Sequence, residues 1–90
     1  MFTGEPGVFF KRRNIEIGRA PRDVLVRARR VVEKLESGLP YWNLGGKRLT
    51  DNRARISIPL GRRWRLLAED VDGRIRARAV LSHETYNKTI

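Results

Sequence analysis

The side chains best suited to chemistry lie in the second half of the chain, between residues 53 and 87. Arginines recur through this stretch, and its end carries His83 and Tyr86. His83 is the single histidine, and imidazole is the side chain whose ordinary pKa lies near neutrality, so it is the natural general acid or base. Guanidinium groups bind phosphate through paired hydrogen bonds. The stretch therefore indicates a surface that holds a polyanion, and the His/Tyr pair could add chemistry to it.

The charge of the whole chain indicates the same kind of partner. The 90 residues include 20 Lys and Arg against 10 Asp and Glu, which gives a formal net charge of +10. Most of these cations are arginine, which a GC-rich genome would also favour. Basic proteins bind nucleic acids and anionic surfaces by neutralising phosphates and releasing counterions. We therefore expect either nucleic acid or an acidic protein that masks the basic surface.

The composition also argues against several classes of protein. There is no cysteine, one histidine cannot build a zinc site, and the acids are scattered, so we expect no metal and no cofactor. No run reaches 18 apolar residues, and the first residues lack the apolar core of a signal peptide. We expect a cytoplasmic protein that does not span a membrane.

The first half of the chain contains one clear helix, over residues 21–37. Pro21 suits the first turn of a helix, and Gly38 is a typical stop signal. One apolar stripe with a period of 3.6 residues comprises Val24, Leu25, Ala28, Val31, Val32 and Leu35. Before this helix, residues 1–7 are expected to be loose. One of two short apolar pieces, VFF or IEI, is expected to form a first strand within residues 8–17.

Three strands are predicted in the second half, over residues 55–60, 63–70 and 74–81, because apolar and polar residues alternate there. The sequence Asp-Val-Asp-Gly at 70–73 is a hairpin turn signal. The predicted core face carries Ile56, Ile58, Trp64, Leu66, Ala68, Ile75, Ala77, Ala79 and Leu81. Val80 and the arginines of the last strand are assigned to the opposite face. The chain is thus predicted to be one α+β domain over residues 1–90, with an antiparallel sheet of three to four strands against one or two N-terminal helices.

A connector with two aromatics and a glycine pair joins the helix to the sheet. In one interpretation, Tyr41, Trp42 and Leu44 pack as a lid over the edge of the core. In the other, Gly45-Gly46 lets the backbone approach a ligand closely and delivers Lys47 and Arg48 to it. The sequence leaves both interpretations open.

Three short motifs are distributed around the predicted strands. They are Leu44-Gly45-Gly46 before the sheet, Arg55-Ile56-Ser57-Ile58 followed by Gly61 and Trp64-Arg65, and a closing segment with His83 and Tyr86. In this order and spacing, the chain resembles the RelE/ParE superfamily of bacterial toxins over roughly residues 24–87. That family usually has a helical hairpin after its first strand, whereas only one clear helix fits between Ile17 and Gly38 here.

The resemblance implies the toxin of a type II toxin–antitoxin system, with a cognate antitoxin as its protein partner. An acidic or amphipathic antitoxin segment would then cover the basic face and the apolar rim around Tyr41 and Trp42. One branch of the superfamily cuts mRNA in the ribosomal A site, and the other poisons DNA gyrase. The RNA-cleaving branch implies an endoribonuclease that needs no metal, with RNA and the ribosome as its targets.

For RNA cleavage, the residues of this chain can be assigned roles. His83 would be the general acid or base, and Tyr86 would stack a base or orient the substrate. Arg65 would contact the scissile phosphate, with Arg63 beside it. Further nucleic-acid contacts are expected from Lys47, Arg48, Arg55, Arg76 and Arg78.

Simpler interpretations stay open for the same residues. His83 could be a solvated residue at a strand end, and Arg63 and Arg65 could pair with acids on a solvated sheet face. A third class of function is a module that binds nucleic acid without cutting it, or that blocks a host factor with its basic sheet.

Overall fold

The computed structural model describes residues 6–82. Four strands form one antiparallel sheet in the order β1-β2-β3-β4, and helices pack on one side of it. The elements are α1 (Pro6–Arg12), α2 (Arg22–Glu36), a 3-10 helix (Tyr41–Leu44), β1 (Lys47–Arg48), β2 (Arg55–Pro59), β3 (Trp64–Val71) and β4 (Arg74–Ser82). The predicted α+β class is confirmed. No helix in this described range is long and apolar enough to cross a membrane.

Helix α2 agrees with its prediction to within a residue at each end. Pro21 is the residue before its first turn, with φ −65° and ψ 160°, and the Ser37 N–H closes the last turn on the Glu33 carbonyl at 3.0 Å. Gly38 then turns the chain away with φ +100°, a value that favours glycine. The stripe of small and aliphatic side chains faces the sheet, with Val24, Leu25, Ala28 and Val32 buried.

The N-terminal region differs from its prediction. The VFF piece belongs to helix α1, which begins at Pro6 inside the segment that was expected to be loose, and its Phe10 is 1% exposed. The IEI piece contributes only one parallel bridge, between Glu16 and Ala79. A short apolar run fits a buried helix turn as well as a strand, because burying two adjacent phenylalanines needs no alternation.

The strands of the second half follow their predicted positions closely. Strand β2 pairs with β3, and β3 pairs with β4 over its whole length. Asp72 and Gly73 form a two-residue turn between β3 and β4, with φ values of 54° and 87°. Positive φ at both central positions matches the right-handed twist of a hairpin, which explains the Asp-Gly pair.

A β-bulge in β4 overturns part of the predicted core face. Leu67 pairs with Ala79 but Ala68 pairs with Ala77, so Arg78 has no partner on β3. This extra residue reverses the alternation beyond it, because successive side chains of a strand point to opposite faces. Val80, predicted to face outward, is a core residue at 2% exposure. Ala79 and Leu81, predicted to face the core, lie on the other side of the sheet.

The two sides of the sheet have different apolar clusters. The inner side packs against the helices and forms the main core, with Phe10, Ile56, Ile58, Leu66 and Val80 as its most buried large side chains. The outer side has a small cluster of Leu49, Leu67 and Ala79, with Leu81 against it. We call this second side the outer face.

Candidate nucleic-acid interface

The outer face can be mapped from the strand register, because paired residues of antiparallel strands lie on the same side. Ser57 pairs with Lys47 on one neighbour and with Leu67 on the other. Arg65 pairs with Pro59 and with Leu81, and Glu69 pairs with Arg55 and with Arg76. The outer face therefore combines a small apolar centre with cations contributed by all four strands.

Arg65 is anchored on this face by a neighbouring side chain. Its Nη1 donates to the Ser57 hydroxyl oxygen at 3.2 Å, and Ser57 is 4% exposed. A buried hydroxyl that accepts a hydrogen bond helps to orient the guanidinium group on this face. Arg65 is partly exposed, so this fixed cation remains accessible to a phosphate.

Several other predicted contact residues have charges that are not neutralised in the part of the chain that the structure describes. Lys47 lies on the outer face beside Ser57, and Arg55 lies on it opposite Glu69. Arg63 is exposed in the turn that leads into β3. Within residues 6–82, neither these three nor Arg76 forms an ion pair. Their charges are available to an anionic ligand.

Arg78 differs from these residues. Its Nε and Nη2 donate to the Glu69 carboxylate at 3.2 and 3.1 Å, and both side chains are about half exposed. An exposed pair of this kind contributes about 0–1 kcal/mol, so a polyanion could compete for Arg78. Arg76 is the cross-strand neighbour of the same Glu69.

Arg48 lies on the inner side, apart from the other predicted contact residues. Its Nη2 donates to Asp70 at 2.7 Å, its Nε to the Tyr41 hydroxyl at 3.0 Å, and its Nη1 to the Arg53 carbonyl at 2.7 Å. The hydrogen bond from Arg48, helped by one from the Gly73 N–H, lowers the pKa of Asp70. The hydrogen bond to Asp70 raises the pKa of Arg48. The structure thus uses this guanidinium as a clamp between elements.

Two predicted catalytic residues, His83 and Tyr86, lie outside the described residues. The strand that leads to them is described as far as Ser82, which pairs with Trp64. Their roles stay predictions. The structure brings Lys47, Arg55, Arg65, Arg76 and Arg78 to one side of the sheet, places Arg63 at its end, and separates Arg48 from them.

The glycine pair does not open the backbone to a ligand. A Cβ on Gly46 would lie 2.8 Å from the Tyr41 carbonyl oxygen and 2.9 Å from the Ile58 side chain. The close approach therefore serves packing of the 3-10 helix on the sheet. Tyr41 and Leu44 pack on the main core as the lid interpretation expects, but Trp42 does not, since it is 64% exposed.

An open groove of about 970 Å³ lies on the inner side of β4. Val32 and Leu35 of α2 line it together with Ile75 and Ala77 of β4, and Tyr41 and Trp42 also line it. Sequence reasoning identified the apolar rim around Tyr41 and Trp42 but not the groove. The available signal in the sequence was the alternation of Ile75 and Ala77 with arginines in β4, and the structure leaves both residues half-buried.

The comparison with protein families agrees with this architecture. A family model described as the ParE-like toxin domain matches residues 22–88, which include α2 and the whole sheet. The chain belongs to this family. Membership indicates a toxin of a toxin–antitoxin system, and toxins of this kind generally pair with an antitoxin. No curated protein and no solved structure matches the chain.

Proposed function

We propose that this chain is a cytoplasmic type II toxin that inhibits translation by cleaving mRNA at the ribosome, and that the outer face binds the RNA. The observation that carries the proposal is the anchoring of Arg65 on Ser57 in the same face as Lys47 and Arg55. A fixed guanidinium flanked by cations without ion pairs among residues 6–82 is suited to holding a phosphodiester.

The chemistry that fits this surface is attack by the RNA's own 2′-hydroxyl on the adjacent phosphorus. The new 2′-oxygen–phosphorus bond forms as the bond to the 5′-oxygen breaks, which leaves a cyclic phosphate and a 5′-hydroxyl. A base must take the proton of the 2′-hydroxyl, and an acid must give one to the leaving oxygen. We assign one of these proton transfers to His83, orientation of the substrate to Tyr86, and stabilisation of the charged phosphorane to Arg65 with Arg63 nearby.

The apolar centre of the outer face supports RNA as the ligand. Leu67 of β3 lies between the cations of β2 and β4, and Leu81 of β4 lies beside Arg65, so bases of a single strand can contact apolar surface while phosphates contact arginines. Lys47, Arg55, Arg76 and Arg78 would supply the phosphate contacts on either side.

The test is induced expression in cells with mapping of RNA ends. The unchanged chain should arrest growth and produce cuts within codons of translated messages. Arg65→Ala and His83→Ala should each relieve the arrest, whereas Arg30→Ala, which removes an exposed cation from α2, should not. Circular dichroism of each purified variant checks that it folds. Full toxicity in both Arg65→Ala and His83→Ala would refute the nuclease proposal.

A second candidate is a poison of DNA gyrase, which the ParE-like character of the matched family favours. In that case expression should induce the DNA-damage response and leave bulk mRNA intact. If Arg65→Ala relieved growth arrest in that case, it would do so by weakening contacts with gyrase. Neither the unchanged chain nor His83→Ala would cut messages. Message cuts within codons would exclude this candidate.

We also propose that the cognate antitoxin neutralises the toxin by covering basic surface. The chain carries a formal net charge of +10, and the outer-face cations that form no ion pair within residues 6–82 fit an acidic protein as well as RNA. Co-expression of the protein encoded by the neighbouring reading frame should restore growth. A neighbouring protein that neither binds the chain nor restores growth would contradict this pairing.

A further inference from the structure

We propose that Glu16 is a positioning residue, whose backbone holds the β-bulge at Arg78 and thereby decides which side chains at the end of β4 belong to the outer face. Glu16 lies in the N-terminal arm, which is residues 6–17 and precedes the region that the family model matches. The contact between the arm and the bulge is a feature of the fold. Only its consequence for RNA cleavage rests on the proposed function.

The N-terminal arm bridges β4 at the bulge. The Glu16 N–H donates to the Arg78 carbonyl at 2.9 Å, and the Glu16 carbonyl accepts from the Val80 N–H at 2.6 Å. The two bonds lie on either side of Ala79 and form a parallel bridge between Glu16 and that residue. The bridge therefore covers the edge of β4 at the point where the bulge lies.

These two bonds require the bulge, because the backbone groups of successive strand residues point alternately toward and away from the neighbouring strand. The two-residue turn makes Val71 and Arg74 the first hydrogen-bonded pair of the hairpin. In a regular strand every second residue after Arg74, including Arg78 and Val80, would turn its N–H and carbonyl toward β3. In the structure the Arg78 carbonyl and the Val80 N–H bond to Glu16 instead. The bridge and regular alternation thus exclude each other.

The arm is anchored on both sides of Glu16. On one side, Ile15 is buried in the main core, and its N–H donates to the Phe10 carbonyl at 2.9 Å. On the other side, the Ala20 N–H donates to the Ile17 carbonyl at 3.0 Å, in the turn that leads into α2. The position of Glu16 is therefore set by the core and the helices, and β4 adopts the register that bonds to it.

Packing alone does not select the bulged register. Residues 79–81 are all apolar, so regular alternation would bury Ala79 and Leu81 in place of Val80. Both registers remove aliphatic side chains from water. Only the bulged register bonds to the backbone of Glu16, and two backbone hydrogen bonds of ordinary strength shift the ratio of two such registers about tenfold.

The register decides what surrounds Arg65 on the outer face. In the bulged register Leu81 pairs with Arg65. A regular strand would place Val80 beside Arg65 instead. It would also place the cation of Arg78 beside Leu67, in the apolar centre of the outer face. The bridge to the arm therefore preserves the apolar surface next to the anchored guanidinium.

The register also determines where the chain leaves the sheet. Ser82 pairs with Trp64 in the structure, whereas a regular strand would place Leu81 there. The exit would move by one residue, about 3.3 Å along the strand. The predicted catalytic residues His83 and Tyr86 follow in the sequence, so the shift would displace the point at which they are attached. Misplacement by about 1 Å can cost about a hundredfold in rate, and the arm thus acts on the proposed reaction through β4.

The experiment compares Glu16→Pro with Glu16→Ala in the full chain. Proline removes the N–H that bonds to the Arg78 carbonyl, whereas alanine removes only an exposed side chain and keeps both backbone bonds. In Glu16→Pro, amide exchange of Val80 should accelerate at least about tenfold, and a second set of NMR signals should show Arg78 in contact with Leu67. Glu16→Ala should keep the contact between Ala79 and Leu67 and change the exchange rate less than about twofold.

Deletion of Arg78 provides a second test. Without the extra residue, regular alternation already places Val80 in the main core and Leu81 on the outer face, so the bulge is no longer needed. In this background Glu16→Pro should leave the register unchanged, even where it lowers the midpoint of urea unfolding. Loss of the register in both backgrounds would mean that the arm only stabilises the domain.

Two further results would overturn the proposal. One is a single register in Glu16→Pro, with Leu67 still in contact with Ala79. The other comes from the unchanged chain, in which the Glu16 and Val80 amides should exchange through one opening and with the same dependence on urea. Different dependences would show that the two sides of the bridge open separately. This measurement needs no variant, so it decides the question even if Glu16→Pro does not fold.

RNA cleavage separates this proposal from the proposed function. Glu16→Pro should lower kcat at least about tenfold and change KM less than about twofold, because the cations of β2 and β3 keep their places. Glu16→Ala should change neither constant. An unchanged kcat in Glu16→Pro with a shifted register would overturn the positioning role. If the unchanged chain cleaves no RNA, the proposed function fails, and the NMR register still decides whether Glu16 holds the bulge.

Discussion

The Arg48 guanidinium donates to the Asp70 carboxylate at 2.7 Å, although 22 residues separate the two along the chain. The same guanidinium holds the Tyr41 hydroxyl and the Arg53 carbonyl, and Asp70 accepts a second bond from the Gly73 N–H at 2.8 Å. One ion pair thus connects the 3-10 helix, β1, the loop after β1 and the turn between β3 and β4. These elements frame the sheet edge on which Lys47 lies.

Removing the Arg48 side chain should lower both stability and order at this edge. Arg48→Ala removes one of the two donors to the partly buried Asp70 carboxylate and the donor to the Tyr41 hydroxyl, so the urea midpoint should fall and amide exchange in residues 47–55 should accelerate. Arg53→Ala is the matched control, because it keeps the carbonyl that Arg48 uses and removes only an exposed side chain. Equal midpoints for the two variants would contradict the clamp.

The same pair predicts how stability depends on pH. The pKa of Asp70 is lowered in the folded chain, chiefly by the hydrogen bond from Arg48. Its contribution is therefore present above the ordinary aspartate pKa, about 4, and is lost as the pH falls through the lowered value. Unfolding curves between pH 7 and pH 2 should show this loss, and Asp70→Asn should reduce it. Asp51→Asn, at an exposed position, should leave the acid dependence as it is.

The position of Val80 gives a direct test of the bulge. Val80→Thr keeps the shape of the side chain but buries a hydroxyl in the main core, which should cost about 1–3 kcal/mol in the free energy of unfolding. Val71→Thr, at 37% exposure on the neighbouring strand, should change it by less than about 0.5 kcal/mol. Denaturant titration of both variants checks this. If alternation ran unbroken through β4, Val80 would face outward and both substitutions would be mild.

Helix α1 should contribute to the stability of the whole domain. Phe10 is 1% exposed in the main core, so Phe10→Ala should destabilise the chain by about 3–5 kcal/mol. Val8→Ala, on the same helix at 44% exposure, should cost less than about 0.5 kcal/mol. Calorimetry or urea unfolding separates the two. A mild Phe10→Ala phenotype would mean that α1 is an appendage of the fold.

The salt dependence of RNA binding should report which cations contact phosphates. If the outer face binds single-stranded RNA, Lys47→Ala and Arg55→Ala should each reduce the slope of log affinity against log salt by about 0.7. Arg30→Ala, on the helical side, should leave the slope unchanged. Equal reductions by all three variants would indicate binding over the whole surface.

The sequence predicted the strands well because two independent signals coincide there. Ile56 and Ile58 alternate with polar residues. Asp72-Gly73 is a residue pair that favours a two-residue hairpin turn, because both of its positions need positive φ. The β-bulge at Arg78 could not be predicted from the sequence in the same way. Ala79, Val80 and Leu81 are consecutive apolar residues, so either face assignment satisfies the pattern, and only the pairing with β3 decides between them.

The candidate site was predictable in composition but not in its contacts. Alternation placed Arg65 and Arg76 on the face opposite to the core, which the register bears out. It could not reveal that Arg48 is bonded to Asp70, because that contact depends on how a loop of several residues closes. It also could not reveal that the buried Ser57 hydroxyl orients Arg65.

Arg78, which has no partner on β3 in the strand register, also determines how the end of the sheet tolerates changes in length. Before Arg78, the odd-numbered residues of β4 face the main core, and after it the even-numbered residue Val80 does, so the alternation of faces changes at Arg78. A one-residue insertion or deletion elsewhere in β4 would turn the core-facing side chains on one side of the change to the outer face, and the outer-face side chains to the core. A second, opposite change at the bulge would return these side chains to their original faces. Length variation in this strand should therefore occur in compensating pairs.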